Sequence, residues 1–284
     1  MNSTDSNDLK KESSSLKSLV KMVKIMNLFT EDKNTWGITE IATNLKMPKS
    51  TIFSIVKSLE KLNFLEQDNG NQYRLGVGVL QLGYAARIGS DINHSITPLL
   101  EELNERTGLI VYFAIPYLGK VLYIESISHS PQRKLGYSVS GRTAYMHSTG
   151  LGKVMLAQAK PEEVDLILKT RGMPKFTEYT ITDPEKLKAE LRRVKEQGYA
   201  MDCREADPMI GCMAMPFRTR DGQFAGGISI SGSYTVFTEE SIPGFIQSLA
   251  YTCCELSNRL HRTPFKIQIC PDVEMMEFID DLVI

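Results

Sequence analysis

Thr39-Glu40-Ile41-Ala42-Thr43-Asn44-Leu45-Lys46-Met47-Pro48-Lys49-Ser50-Thr51-Ile52-Phe53-Ser54-Ile55-Val56-Lys57-Ser58-Leu59 decides the fold of the front of the chain. Ile41, Ala42 and Leu45 recur at helical spacing; after a break at Met47-Pro48, Ile52, Ile55, Val56, Leu59 and Leu62 take up the same period. Two short helices with a tight turn between them are predicted. Pro48 suits the start of the second, because the N–H that proline lacks would find no partner in a first turn. Lys49, Ser50 and Thr51 then fall in that first turn, with Ser54 and Lys57 on the outer face.

Upstream, Leu19, Val20, Val23, Met26 and Leu28 predict another helix, ending near Thr30 in the polar loop Glu31-Asp32-Lys33-Asn34. Downstream, Phe64-Leu65-Glu66-Gln67 and Gln72-Tyr73-Arg74-Leu75 flank Asp68-Asn69-Gly70-Asn71, the pattern of a β-hairpin around an Asn-Gly turn. Three helices and a hairpin make a winged helix-turn-helix over residues 15–76, and the helix opening at Lys49 resembles its recognition helix. Winged helices also serve as protein-interaction modules, so the charge decides between readings. The 284-residue chain has a net charge of −1, yet ten lysines between Leu9 and Lys61 outnumber Glu12, Glu31, Asp32, Glu40 and Glu60. That surplus suits double-stranded DNA. Lys49, Lys57, Lys10 and Lys11 of a disordered arm (residues 1–14) and Lys17 just after it can neutralise phosphates; Ser50, Thr51 and Ser54 can reach phosphates or base edges. Arg74 in the wing can meet the backbone or a minor groove.

Residues 77–94, with Val77, Val79, Leu80, Leu82 and Tyr84, read as a linker helix that packs on a partner copy. A second unit, 95–262, opens with a helix starting at Pro98 and closed by Gly108. Extended runs follow at Leu109–Ile115, Lys120–Ile127 and Lys134–Val139, then a loop, Gly141–Gly152, feeding a helix with Val154, Met155 and Leu156. Helices start at Pro161 and at Asp183-Pro184, the latter ending at Gln197-Gly198. Tyr199–Cys203, Ile210–Arg218 and Phe224–Ser231 read as strands, the last two joined by a hairpin turn, and Thr238–His261 as a closing helix. Hairpin strands with helices between them imply an α+β domain with an antiparallel sheet. Residues 263–284 form an acidic tail whose Val273, Met276, Ile279 and Val283 fit an amphipathic helix docking on its own dimer or on a partner.

No run of about 18 uncharged apolar residues exists, so no membrane span is expected. The N-terminus lacks the apolar core of a secretory signal, and five cysteines without a C-x-x-C pair look like reduced cytoplasmic thiols. His94, His129, His147 and the cysteines lack zinc-ligand spacing, and no nucleophile elbow accompanies His147, which reads as a structural hydrogen-bonder. No catalytic residue, cofactor or metal is expected.

Several motifs occur in a specific order: Pro48-Lys49-Ser50-Thr51, Tyr73-Arg74-Leu75-Gly76, His147-Ser148-Thr149-Gly150-Leu151-Gly152-Lys153, Thr180-Ile181-Thr182-Asp183, Glu196-Gln197-Gly198-Tyr199-Ala200, Cys212 with Pro216, and Ile228-Ser229-Ile230-Ser231-Gly232. With them the span from Ser18 to His261 resembles the IclR-type family of bacterial transcription regulators. The resemblance implies a winged helix-turn-helix joined by a helical linker to a GAF-like effector-binding domain. It also implies a homodimer or tetramer on a palindromic operator, a small organic acid as effector, and repression more than activation. Carried over position by position, Gly150, Leu151, Asp202, Cys212, Ser229 and Ser231 match effector-contacting residues. The chemistry agrees, since N–H groups at a helix start suit a carboxylate and serines spaced i, i+2 share a strand face. Otherwise Ser229 and Ser231 face solvent and Cys212 is a small buried hydrophobe. The chain departs from the family pattern at Phe53-Ser54, where a His-Arg-like pair is usual, at Tyr145, where Pro is frequent, and at Ala206-Asp207-Pro208-Met209, in place of an acidic pair followed by Gly. The alternative function is a DNA-free metabolite sensor or an enzyme using the same pocket.

Overall fold

A computed structural model describes residues 18–30, 33–88, 92–128, 140–263 and 265–270. The arm with Lys10 and Lys11, Lys17, His129, the strand expected over Lys134–Val139 and the acidic helix of the tail lie outside the described residues. The chain forms two compact units that part between Arg87 and Ile88.

The first unit contains α1 (residues 18–26), β1 (Trp36–Gly37), α2 (Ile38–Asn44), α3 (Lys49–Lys61), β2 (Leu65–Gln67), β3 (Gln72–Leu75) and α4 (Val77–Ile88). Helix α3 buries Ile52, Val56 and Leu59, the positions its period marks out, and Pro48 stands at its N-cap. These side chains join Ile25, Leu28, Trp36, Ile41, Leu65 and Tyr73 in one core. Two features differ from the sequence reading. Trp36 and Gly37 form a strand that pairs with β3, giving a three-stranded sheet in the order β1-β3-β2. Two residues are too short to show a period, and the pairing is fixed instead by Trp36, whose indole N–H donates to Leu28 O at 2.8 Å. The wing turn is also not a two-residue Asn-Gly turn. Asp68 N–H donates to Gln72 O, the Asp68 carboxylate accepts from Gly70 and Gln72 N–H, and Asn71 takes the left-handed conformation (φ 57°). That is a three-residue loop, in which the left-handed residue comes last.

The second unit runs from a π-helical segment, Ile92–Ile96, through α5 (Thr97–Thr107), β4 (Ile110–Tyr117), β5 (Lys120–Ile127), β6 (Thr143–Tyr145), α6 (Gly150–Leu156), α7 (Pro161–Arg171), α8 (Pro184–Gln197), β7 (Ala200–Cys203), β8 (Ile210–Arg218) and β9 (Phe224–Ser233) to α9 (Ile242–Arg259). The six strands form one antiparallel sheet in the order β6-β5-β4-β9-β8-β7. Strand alternation splits its faces. Val111, Phe113, Ile115, Met213, Met215, Phe217, Ile228 and Ile230 join Leu99, Leu103, Leu249 and Leu256 of α5 and α9 in the main core. The residues between them, Tyr112, Cys212, Ala214, Ser229 and Ser231, belong to the opposite face, where α6 packs. Helix α9 begins at Ile242 rather than Thr238, because Thr238 and Ser241 hydrogen-bond each other in a turn that ends before the helix. Strands β6 and the end of β9 also exceed the expectation. Phe265 and Ile267 pack against the main core, beyond the expected domain end at 262.

Candidate functional site

On α3, Lys49, Ser50 and Ser54 are exposed and Thr51 is half-buried, so the first turn faces outward. Phe53 shares that surface, 51 % exposed. Lys57 and Arg74 are engaged within the fold. Lys57 Nζ donates to Glu60 Oε2 at 2.8 Å and to Gln67 Oε1 at 3.0 Å, and Arg74 pairs with Glu66 at 3.0 Å. Both ion pairs are open to solvent and worth little in water.

In the second unit the sheet face under α6 holds a cavity of ≈ 270 Å³. Pairing explains what lines it. Asp202 lies opposite Cys212, and Cys212 opposite Ser231, in one row across β7, β8 and β9; the next row sets Ala214, Ser229 and Tyr112 side by side. Leu151 of α6 closes one wall, and Thr149 caps that helix by accepting from Gly152 N–H at 3.0 Å. Of the expected effector residues, Leu151, Asp202, Cys212, Ser229 and Ser231 line the cavity, whereas Gly150 stands against its wall. A Cβ at Gly150 would lie 3.0 Å from Cys212 Sγ. Ser229 and Ser231 are 1 % and 8 % exposed, so they do not face bulk solvent.

Sequence reasoning missed Tyr112, Tyr123, Arg142, Thr143, Thr149, Ala206 and Ile210, which also line the cavity. The rings of Tyr112 and Tyr123 meet edge-on, with centroids 5.3 Å apart. A signal existed for Tyr112, which alternates with the apolar Val111 and Phe113, but its face is defined only once β4 is paired with β9.

The electrostatics are set by burial. Asp202 Oδ1 accepts from Glu205 N–H at 2.6 Å, and burial pushes its carboxyl up to about 6, against the opposing pull of that backbone bond. Glu205 in turn takes Lys153 Nζ at 2.5 Å, the two side chains being 8 % and 1 % exposed. Burial also raises Tyr112 and Tyr123 and pushes the Cys212 thiol up to about 12, so sulfur here is a weak donor and not a nucleophile. His147 is not at the cavity. It is 1 % exposed, its Nε2 is 3.0 Å from Pro174 O, and its ring stacks on Phe176, in keeping with a structural role. A larger cleft of ≈ 490 Å³ borders the Lys153–Glu205 pair, with Arg193, Gln197, Tyr179 and Tyr199 along it. Its charged groups are already paired, and none of the other expected residues reaches it.

Among the described residues no helix is long and apolar enough to cross a membrane, and no group of three or more His, Cys, Asp or Glu is placed to hold a metal ion. A winged helix with an outward polar first turn, followed by an α+β unit enclosing a polar cavity, is the architecture of a transcriptional regulator. Residues 85–258 match the bacterial transcriptional regulator IclR C-terminal domain, and residues 18–69 match the IclR helix-turn-helix domain. The chain therefore belongs to the IclR family of bacterial transcriptional regulators. It is 30 % identical over 261 residues to the HTH-type transcriptional regulator KdgR of Escherichia coli, covering 91 % of this chain and 98 % of the relative. It is 23 % identical over 233 residues to the transcriptional repressor IclR of the same organism, covering 81 % and 85 %. Among solved structures, an IclR regulator from Silicibacter superposes with TM-score 0.77 at 21 % identity, covering 90 % of this chain and 98 % of that one. An IclR homologue from Microbacterium hydrocarbonoxydans, solved with 4-hydroxybenzoate, gives 0.67 at 20 %, covering 85 % and 98 %.

Proposed function

We propose that this regulator binds a palindromic operator as a homodimer or tetramer and that a small organic acid in the second unit controls that binding, in the sense of a repressor. Residues 15–76 serve as the DNA-binding domain, 77–94 as linker and 95–262 as effector domain. Lys49, Ser50, Thr51 and Ser54 dock in the major groove; Lys57 and Arg74 hold phosphates beside it. The effector is held by Leu151, Asp202, Cys212, Ser229 and Ser231, with Gly150 letting α6 approach the sheet. The cavity itself carries this reading. It is lined by hydroxyls, a thiol, two phenols and one arginine, donors matched to an oxygen-rich anion. The family's 4-hydroxybenzoate-bound homologue agrees with an acid of that size. Ligation of Ala206 and Asp202 from one side and Leu151 from the other would bias the unit between two arrangements, one of which holds DNA.

The test selects a palindromic site from random duplex DNA and follows its binding by fluorescence anisotropy. Affinity should fall steeply with salt, since each neutralised phosphate releases counterions. Ser229→Ala with Ser231→Ala should leave DNA affinity intact and abolish release by the effector found in a thermal-shift screen of organic acids. Absence of any duplex binding above background sinks the regulator reading, and an intact response in the double variant sinks the site.

A further inference from the structure

We propose that the cavity takes up its organic acid together with one proton, carried by Asp202, so that the ligand's carboxylate is met by a neutral carboxylic acid. This rests on the effector-site reading above and adds to it the countercharge. The ligand's anion has a defined place. Asp202, Cys212, Ser229 and Ser231 are 3, 8, 1 and 8 % exposed, so the donors lie at the buried end, around Asp202. Arg142, half-buried beside exposed Thr143, also lines the cavity, but the cation whose charge acts on Asp202 is Lys153. A carboxylate drawn to the serine hydroxyls and the thiol therefore arrives beside a second carboxylate.

Two anions sharing a dry site do not both stay ionised; one takes a proton. Around Asp202 itself the positive charge is already committed. Lys153 of α6 is bound to Glu205 at 2.5 Å, and Glu205 itself adds negative charge. Cys203 flanks Asp202 on β7, Cys212 faces it from β8 and Tyr112 and Tyr123 line the same cavity from β4 and β5. Cys203 is exposed and lines the neighbouring cleft, whereas burial holds Cys212, Tyr112 and Tyr123 protonated, so these three donate hydrogen bonds but bring no positive charge. Arg142, among the cavity's lining residues, completes the set. Burial already brings the Asp202 carboxyl to about 6, and a neighbouring anion raises it further. A protonated Asp202 goes on accepting from the Glu205 and Ala206 N–H groups and offers its O–H to the ligand. The device also selects charge type, since a carboxylate gains this donor whereas an uncharged amide gains little from the proton.

The test is calorimetric titration of 4-hydroxybenzoate and acetate, with 4-hydroxybenzamide as the uncharged control, between about pH 5.5 and 8. Carboxylate affinity should be flat below about pH 6 and fall about tenfold per pH unit above it, where a proton must be recruited. Repeating the titration in buffers of different ionisation enthalpy at about pH 7.5 should show nearly one proton taken up per ligand. Asp202→Asn should bind the carboxylates without pH dependence and, at pH 8, about tenfold or more tighter than the unaltered protein. A pH-independent affinity in the unaltered protein, no proton uptake, or a slope that survives Asp202→Asn overturns the proposal. Should Asp202→Asn not fold, the proton count on the unaltered protein decides alone. If neither carboxylate binds either protein, the effector-site reading itself falls, a failure distinct from binding without a proton.

Discussion

Lys153 is the residue whose chemistry depends most on its setting. At 1 % exposure its ammonium is paired directly with Glu205, and Glu205 Oε2 has no hydrogen-bond partner among the described residues. Removing one member of such a pair leaves the other charge buried and bare, which costs roughly 3–5 kcal/mol. Lys153→Ala should therefore lower stability by about that much in chemical denaturation, and Lys153→Met with Glu205→Leu should recover most of it. Equal losses in the single and double variants would show that the pair's packing, and not its charge, matters. Asp202 acts oppositely. Its folded-state carboxyl lies above its ordinary 3.8, so its favourable contribution is full below that value and is lost as pH rises through about 6. Thermal melts should show stability falling over this window, and Asp202→Asn should flatten the fall. At this scale the sequence disclosed Asp202, Cys212, Ser229 and Ser231 through a family pattern. It left Tyr112, Tyr123 and Arg142 hidden, because a strand residue's face has no meaning until its neighbours in the sheet are known.

Elements were legible where their signals are local. Helix α8 begins at Asp183, whose carboxylate accepts from Glu185 and Lys186 N–H at 2.9 Å, and ends at Gly198 with φ 82°. Both groups act within four residues of themselves, so the chain announces them. Asp183→Ala should cost about 1 kcal/mol, read as a shifted denaturation midpoint with an unchanged slope. Strands β1 and β6, two and three residues long, were not legible, since they exist only by pairing with β3 and β5. Helix α6 shows the same limit from the other side. Its glycines read as a motif, but their reason is tertiary: a Cβ on Gly152 would stand 2.2 Å from Met146 O, and that backbone cannot yield. Gly152→Ala should consequently disrupt the second unit, detected as loss of its cooperative unfolding transition, while a separately monitored winged-helix transition persists.

For the whole molecule, the feature that asks for a partner is α4. Its N-terminus is fixed to the winged helix, because Gly76 and Gly78 N–H donate to Phe64 and Asn63 O at 2.8 and 2.9 Å. Beyond that anchor Val77, Leu80 and Tyr84 are 71, 73 and 66 % exposed, at i, i+3 and i+7 on one side of the helix. Such a contiguous apolar stripe on a soluble helix marks an interface. On the palindromic operator proposed above, a second copy of α4 would be the occupant, since two-fold DNA is read by a two-fold protein. The sequence contains the apolar positions of the stripe, but a lone chain holds no record of a second copy. Leu80→Glu with Tyr84→Glu places charges in that stripe without touching α3 or the cavity. Sedimentation should then report a smaller assembly, and affinity for the palindrome should drop toward that for a single half-site, because the second contact is no longer tethered to the first. Calorimetric binding of the organic acid should persist. Were the assembly and the palindrome affinity unchanged, the two-fold contact would have to lie elsewhere, and α4 would be a spacer whose apolar side is merely tolerated in water.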